Sequence, residues 1–183
     1  MGFGRLVILS GPSGVGKDTV IDAWRAADPR VERVTAYTTR QPRPKEVDGV
    51  DYHFVSVDEF QRMAGAGEFL EHKKVFENYY STPLKDMDAL LAAGRIAVLK
   101  IYVQGDLAVM PLRPDAITVF LLPPRIADLE ERIRLRDADS PEDAARRLDQ
   151  ARNEISFADR YQHLIVNQEI NQAAAQLVEL TSR

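Results

Sequence analysis

One stretch constrains what this chain can fold into more than any other: Arg5 to Val20, RLVILSGPSGVGKDTV. Leu6-Val7-Ile8-Leu9 is a short apolar run without helical period, which predicts a buried parallel strand. Gly11, Gly14 and Gly16 follow, and Lys17 leads into a segment with helical period through Val20, Ile21 and Trp24. Strand, glycine-rich turn and helix in this order are the setting of a phosphate-binding loop. Glycine lets the backbone turn its N–H groups inward around an anion, where a Cβ would block the dihedrals or the approach. The helix N-terminus adds donors and the positive end of a dipole, and Lys17 a mobile point charge. A glycine-rich turn with no ligand is the competing account, and three glycines with a lysine at this spacing weigh against it. The last position of such a loop, a Ser or Thr hydroxyl for Mg²⁺, is Asp18, with the hydroxyl displaced to Thr19.

The bulk numbers narrow the class. At 183 residues the chain suffices for one full core with small inserted lobes. Its composition, 45% hydrophobic and 28% charged, is that of a globular protein. A net charge of −4 argues against a nucleic-acid surface, so any anion site must be a local basic cluster. Without cysteine there are no disulfides or thiolate metal sites. No leader-like or membrane-spanning run is visible, so the expectation is a cytoplasmic protein with no membrane partner.

Along the chain, Val31 to Thr39 reads as a second strand, and Thr38 to Glu46 is basic and proline-rich. Asp51 to Ser56 alternates as a half-buried strand. Ser56 or Asp58 is placed to cap a short helix through Met63, and Glu68 to Val75 and Asn78 to Thr82 read as strands. Residues 34–84 therefore form a mostly antiparallel insertion. A helix from Leu84 to Ala93 ends at Gly94. Ile96 to Val103, Ile117 to Leu122 and His163 to Asn167 read as strands alternating with helices, the last helix covering Asn171 to Thr181. This implies an α/β fold whose parallel sheet is wound on both faces. Arg125 to Arg136 and Glu142 to about Ala158 read as two charged helices, a flap standing off the sheet. The core is then residues 1–33, 85–124 and 159–183, with the flap at 125–158.

Within the insertion, prolines flank Arg43 and stiffen the loop that carries Arg40 and Arg43, whose forked donors suit a phosphate. Two arginines on an exposed loop would look the same. On the flap, Arg132 and Arg136 lie four apart on one helical face, with Asp128 in reach of Arg132 and Arg146 and Arg147 on the next helix. A solvated charged face is the ordinary account of such a run; a lid that brings positive charge to a moving phosphoryl group is the other. Tyr52, Glu71, Tyr80 and Thr82 are the insertion's remaining candidates, since a carboxylate beside a hydroxyl can read the donor edge of a base. His53, His72 and His163 share no ligand spacing. Trp24 reads as core.

These residues carry a family likeness. Thr38 to Val55, TTRQPRPKEVDGVDYHFV, resembles the guanylate kinase signature, and GPSGVGK, GEFLE, NYYSTP, VQG, LLPP and IVN extend the likeness over nearly the whole chain. The resemblance implies a P-loop kinase core, a GMP-binding insertion and a helical lid. It implies transfer of the ATP γ-phosphate to GMP with Mg²⁺, in a monomer or homodimer. By position, Arg40, Arg43, Tyr52 and Tyr80 are expected at the GMP phosphate, and Glu71 and Thr82 at the guanine. Gly11, Pro12, Ser13, Gly14, Val15, Gly16, Lys17, Asp18, Thr19 and Asn167 are expected at ATP. Lys17, Arg132, Arg136 and Arg147 are expected at the transferring group; Asp18, where the family has a hydroxyl, is expected to take over part of the metal binding or to pair with Lys100.

The chain departs from the family pattern at Ala36, where Ser or Thr is usual, at Lys100 and Tyr102, where acids are usual, and at Asp137-Ala138. Each lost base hydrogen bond is expected to cost about 0.5–1.5 kcal/mol. Two alternatives follow from these departures. Ribose bisphosphate kinases are similar in having Asp directly after the loop lysine, and guanylate kinase-like binding modules lack catalysis.

Overall fold

The computed structural model describes residues 4–75, 77–136 and 141–182. The first strand, β1 (Arg5–Ser10), is buried from Leu6 onward, as its unbroken apolar run requires. It pairs in parallel with β8 (Ile117–Leu122), Val7 opposite Ile117, and β8 pairs in parallel with β9 (His163–Val166). With β2 (Val31–Arg33) and β7 (Ile96–Leu99) the sheet order is β2-β7-β1-β8-β9. A second sheet, ordered β4-β3-β6-β5, is built from β3 (Tyr37–Thr38), β4 (His53–Phe54), β5 (Phe69–Val75) and β6 (Asn78–Pro83). It is antiparallel except for the parallel β3–β4 pair.

The chain divides into two compact units, one of Met1–Leu6 with Glu32–Ala116 and one of Val7–Val31 with Ile117–Arg183. In the first, α2 (Val57–Gly65) is capped by Ser56, whose Oγ accepts the N–H of Glu59 at 3.1 Å. Its Phe60 and Met63, three apart, pack with Phe69 of β5 and are flanked by Tyr37, Val55 and Tyr79. The helices α3 (Leu84–Ala92) and α4 (Val103–Val109) complete this unit, α3 against β7 and α4 against β5.

In the second unit, α1 (Lys17–Ala27) buries Val20, Ile21 and Trp24 and packs on α7 (Ile170–Ser182). Trp24 is fully buried, as its helical phase predicts. The helices α5 (Ile126–Arg136) and α6 (Pro141–Ile155) share a small core of Leu129, Ile133 and Ala151, flanked by Leu148 and Ile155.

Three expectations are corrected. The run from Val31 to Thr39 is two strands in different sheets. Val34 donates its N–H to Val98, while the carbonyl of Ala36 already accepts from His53. Strand-forming residues in one run say nothing of which sheet each pairs with. The strand from Ile96 ends at Leu99, because Val103 joins Gly105, Asp106 and Val109 on the buried side of α4. Packing there overrides the β propensity of Ile101, Tyr102 and Val103. Of Asp51 to Ser56, only His53 and Phe54 form a ladder strand. A Cβ on Gly14 would lie 3.4 Å from both Leu129 and Ile133, so α5 packs close to the glycine turn. A turn from Asp137 to Pro141, expected between the two charged helices, lies outside the described residues except for Pro141, which opens α6.

Candidate active site

The turn after β1 is held in a shape that favours glycine. Gly11 has φ +147°, and a Cβ there would come 2.6 Å from the carbonyl of Leu121. Gly16 has φ +96° at the N-cap of α1, and its Cβ would meet Asn167 Nδ2 at 3.0 Å. These are the left-handed and close-approach cases in which a side chain is strained.

The loop's own groups are tied down from behind. Val15 donates to the carbonyl of Pro12 at 3.2 Å, and the carbonyl of Val15 accepts from Asn167 Nδ2 at 2.8 Å. Ser13 donates its N–H to Glu154 Oε2 of α6 at 3.1 Å. Among the described residues the N–H groups of Gly14 and Gly16 have no backbone acceptor. Lys17 Nζ donates to the carbonyls of Gly11 and Pro12, which keeps the ammonium over the mouth of the turn. Asp18 and Thr19 are exposed on the first turn of α1. Asn167 is buried behind the loop, and its Oδ1 has no hydrogen-bond partner among the described residues. A glycine turn at a helix N-terminus with an ammonium close by has the chemistry to accept an anion.

On the two helices beyond it, Arg132 is exposed on α5, and on α6 Arg146 is exposed and Arg147 half-buried. Arg136 closes α5, and its side chain lies outside the described residues. The sequence offered Arg132 as the partner of Asp128. In the fold Asp128 pairs with Arg125 instead, at 2.6 Å. Arg125 precedes the helix and its carbonyl takes the N–H of Asp128, which folds its guanidinium back onto that carboxylate. The hydrogen bond from Arg125 holds Asp128 below the usual carboxylate range, with the charge of Arg132 adding to it. Arg152 links the helices through Glu130 at 2.6 Å.

The first unit carries a second cluster. Arg40 donates through both terminal nitrogens to Glu46, at 2.8 and 3.0 Å, and its guanidinium lies over the rings of Tyr52 (5.6 Å) and Phe54 (5.8 Å). Glu46 Oε2 also accepts the N–H of Arg43 at 2.7 Å. The hydrogen bond from Arg40 keeps the Glu46 carboxyl below its ordinary value, and the same bond raises Arg40. It is thus Glu46, rather than the prolines alone, that orients Arg40, and the Arg43 residue is left exposed. Tyr52 meets Tyr80 edge-on at 6.0 Å, and Tyr80 meets Tyr102 at 5.3 Å. Beside this aromatic wall Thr82 Oγ1 donates to Glu71 Oε1 at 3.0 Å. Burial pushes the Glu71 carboxyl up, and the bond from Thr82 partly opposes it. Gly105 of α4 keeps the other oxygen clear, since a Cβ there would lie 3.4 Å from Glu71 Oε2.

The structure therefore brings Arg40, Tyr52, Tyr80, Glu71 and Thr82 into one neighbourhood, and Gly11 to Lys17 with Asn167 into another. Glu46, Glu154 and Gly105 escaped the sequence reading. Glu46 lies six residues after Arg40, and an acid closing a basic run was its only signal. Among the described residues no three His, Cys, Asp or Glu gather as a metal cage.

Fold and loop together define a phosphate-loop α/β protein of the kinase type. The chain belongs to the guanylate kinase family, whose model matches residues 3–183. It is 47% identical to a guanylate kinase of Frankia casuarinae over 96% of this chain and 95% of the relative. To that of Thermosynechococcus vestitus it is 44% identical, over 93% of this chain and 89% of the relative. The crystal structure of guanylate kinase from Anaplasma phagocytophilum superposes with a TM-score of 0.78 at 30% identity, covering all of this chain (100%) and 86% of the other.

Proposed function

We propose that this protein transfers the γ-phosphate of ATP to GMP, giving ADP and GDP. The observation that carries the choice of acceptor is the Glu71–Thr82 pair at 3.0 Å beside the Arg40 cluster. Guanine presents a ring N–H and an amino group on one edge, and a carboxylate accepts both. Adenine presents a ring acceptor there and leaves the carboxylate facing a lone pair. Arg40, Arg43, Tyr52 and Tyr80 then take the acceptor's phosphate through charge-assisted bonds.

On the donor side the loop amides and Lys17 hold the polyphosphate, with Asn167 steadying the loop from behind. Lys17, Arg132, Arg136 and Arg147 offset the charge that spreads over the moving group. The attacking atom is already a phosphate oxygen, so no general base is required. Mg²⁺ fits the donor chemistry, because a hard cation takes oxygen ligands and usually needs only one or two from protein beside the phosphates. Asp18 and Thr19, exposed at the start of α1, would hold it. When bound it neutralises charge between the outer phosphates. Residues 34–84 serve as the acceptor-binding insertion and 125–158 as the lid, and the protein works in the cytoplasm as a monomer or homodimer.

A coupled assay of ADP formation with GMP, dGMP, AMP and ribose 1,5-bisphosphate tests the assignment. GMP is expected to be used best. A preference for the sugar bisphosphate, or ATP binding with no transfer to any of the four, overturns it.

A further inference from the structure

We propose that Glu154 is a positioning residue for phosphoryl transfer: from α6 it fastens the Ser13 N–H of the phosphate loop and so sets the lid helix against the loop. The inference rests on the kinase reading above for the reaction it serves, and on the second unit alone for its geometry.

Pro12 has no N–H, so Ser13 supplies the next donor after Gly11, and that donor points to Glu154 Oε2 at 3.1 Å. The other carboxylate oxygen is held on its own helix by Gln150 Nε2 at 3.2 Å. Glu154 is only 5% exposed, and 141 residues of sequence separate it from Ser13. A buried carboxylate is costly unless it is hydrogen-bonded, and one beside a polyanion cradle also repels the ligand. A group that only filled space there would be better uncharged. Bonding both oxygens offsets the first cost, and fixing the loop is the return on the second.

The link has a second consequence. Glu154 follows Arg147 by seven residues, about two turns of α6, so the two share a face of the helix. Leu148, Ala151 and Ile155 use the same stretch to pack on α5. Tying the C-terminal end of α6 to Ser13 therefore fixes the distance along the helix from the loop to Arg147. Glu154 touches neither substrate nor the reacting atoms in this scheme; it acts through Ser13 and through α6.

Two near-isosteric variants separate the bond from the charge. Glu154→Asp keeps the charge but loses the reach of one methylene, while Glu154→Gln loses the charge and keeps an oxygen in reach of Ser13. E154D is expected to raise KM for ATP about tenfold and lower kcat, with KM for GMP within about twofold of the parent protein. E154Q is expected to recover most of the ATP affinity. The ¹⁵N-labelled Ser13 amide gives a readout independent of turnover: its proton resonance should move upfield in E154D and stay near the parent position in E154Q. The reverse ranking of the variants, an unmoved Ser13 resonance in E154D, or equal losses for ATP and GMP would each overturn the proposal. Absence of GMP turnover in the parent protein would instead count against the kinase reading, while the Ser13 resonance would still judge the link.

Discussion

Two carboxylates of the first unit are perturbed in opposite directions, and each shift has its own consequence. Glu46 is held down by its hydrogen bonds from Arg40, which makes it a stabilising group when ionised. Its contribution is present above the ordinary glutamate value and is lost as pH falls through the lower folded value. Glu46→Ala removes the fork that aims Arg40. The variant should raise KM for GMP by about tenfold, the scale of a charged hydrogen bond of about 1.5 kcal/mol, and leave KM for ATP unchanged. Initial rates over both substrates check this. Glu71 is the converse: burial raises its carboxyl, so the folded state keeps the proton longer than the unfolded chain does. Its stability effect is therefore adverse, and it sets in as pH rises from the ordinary value through the raised one. Glu71→Gln should hold or gain stability at neutral pH while kcat/KM for GMP falls by about 1.5–3 kcal/mol, some 10- to 150-fold. The parent's KM for GMP should rise on acidification above the usual carboxylate range. Subtracting the E71Q profile removes the titration of GMP itself, and coincident profiles would refute the role given to Glu71.

At the scale of elements, what could be read from sequence was what depends on local period and turn chemistry. The strand, glycine turn and helix at Arg5 to Val20, the cap at Ser56 and the strand Ile117 to Leu122 all stand as read. What failed needed knowledge of the partner. Val31 to Thr39 reads as one extended run while changing sheets, and Val103 looks like strand until α4 has a surface to bury it. Arg40, Glu71 and Thr82 were legible because a motif carries them. Glu46 was illegible because only the folded loop shows which charge it meets, and Glu154 because its partner lies at the opposite end of the chain. The turn also gives an element-scale prediction. At Gly16 the φ of +96° and a Cβ contact of 3.0 Å with Asn167 Nδ2 act together. Gly16→Ala should cost about 1–2 kcal/mol from the left-handed backbone alone. It should also push Asn167 off the carbonyl of Val15, so ATP affinity falls more than stability does. Thermal melts beside ATP titrations measure the two; a variant with parental ATP affinity would show that Asn167 does not steady the loop.

For the whole molecule, a net charge of −4 must capture two anionic substrates, so attraction has to be local and each capture has to be separable. Binding to the folded state stabilises it by about 2.7 kcal/mol when the ligand is at a hundred times its Kd. For a chain of this size one kcal/mol moves Tm by about 2–4 °C, so each ligand should shift Tm by about 5–11 °C. A non-hydrolysable ATP analogue with Mg²⁺ should give one such shift and GMP another. Arg40→Ala should abolish the GMP shift and preserve the ATP shift, whereas Lys17→Ala should do the opposite. Mg²⁺ should enlarge only the ATP shift, and Asp18→Ala should reduce that increment if Asp18 holds the ion beside the phosphates. The pattern discriminates among accounts that turnover alone confuses. A binding module without catalysis would still show both shifts, but a protein whose basic loop and glycine turn served a single ligand would lose both shifts to either substitution. Because both sites draw on few charges in a negatively charged molecule, raising the salt from 50 to 500 mM should shrink both shifts, the shorter Debye length weakening exposed groups such as Arg43 more than Arg40 on its aromatic bed.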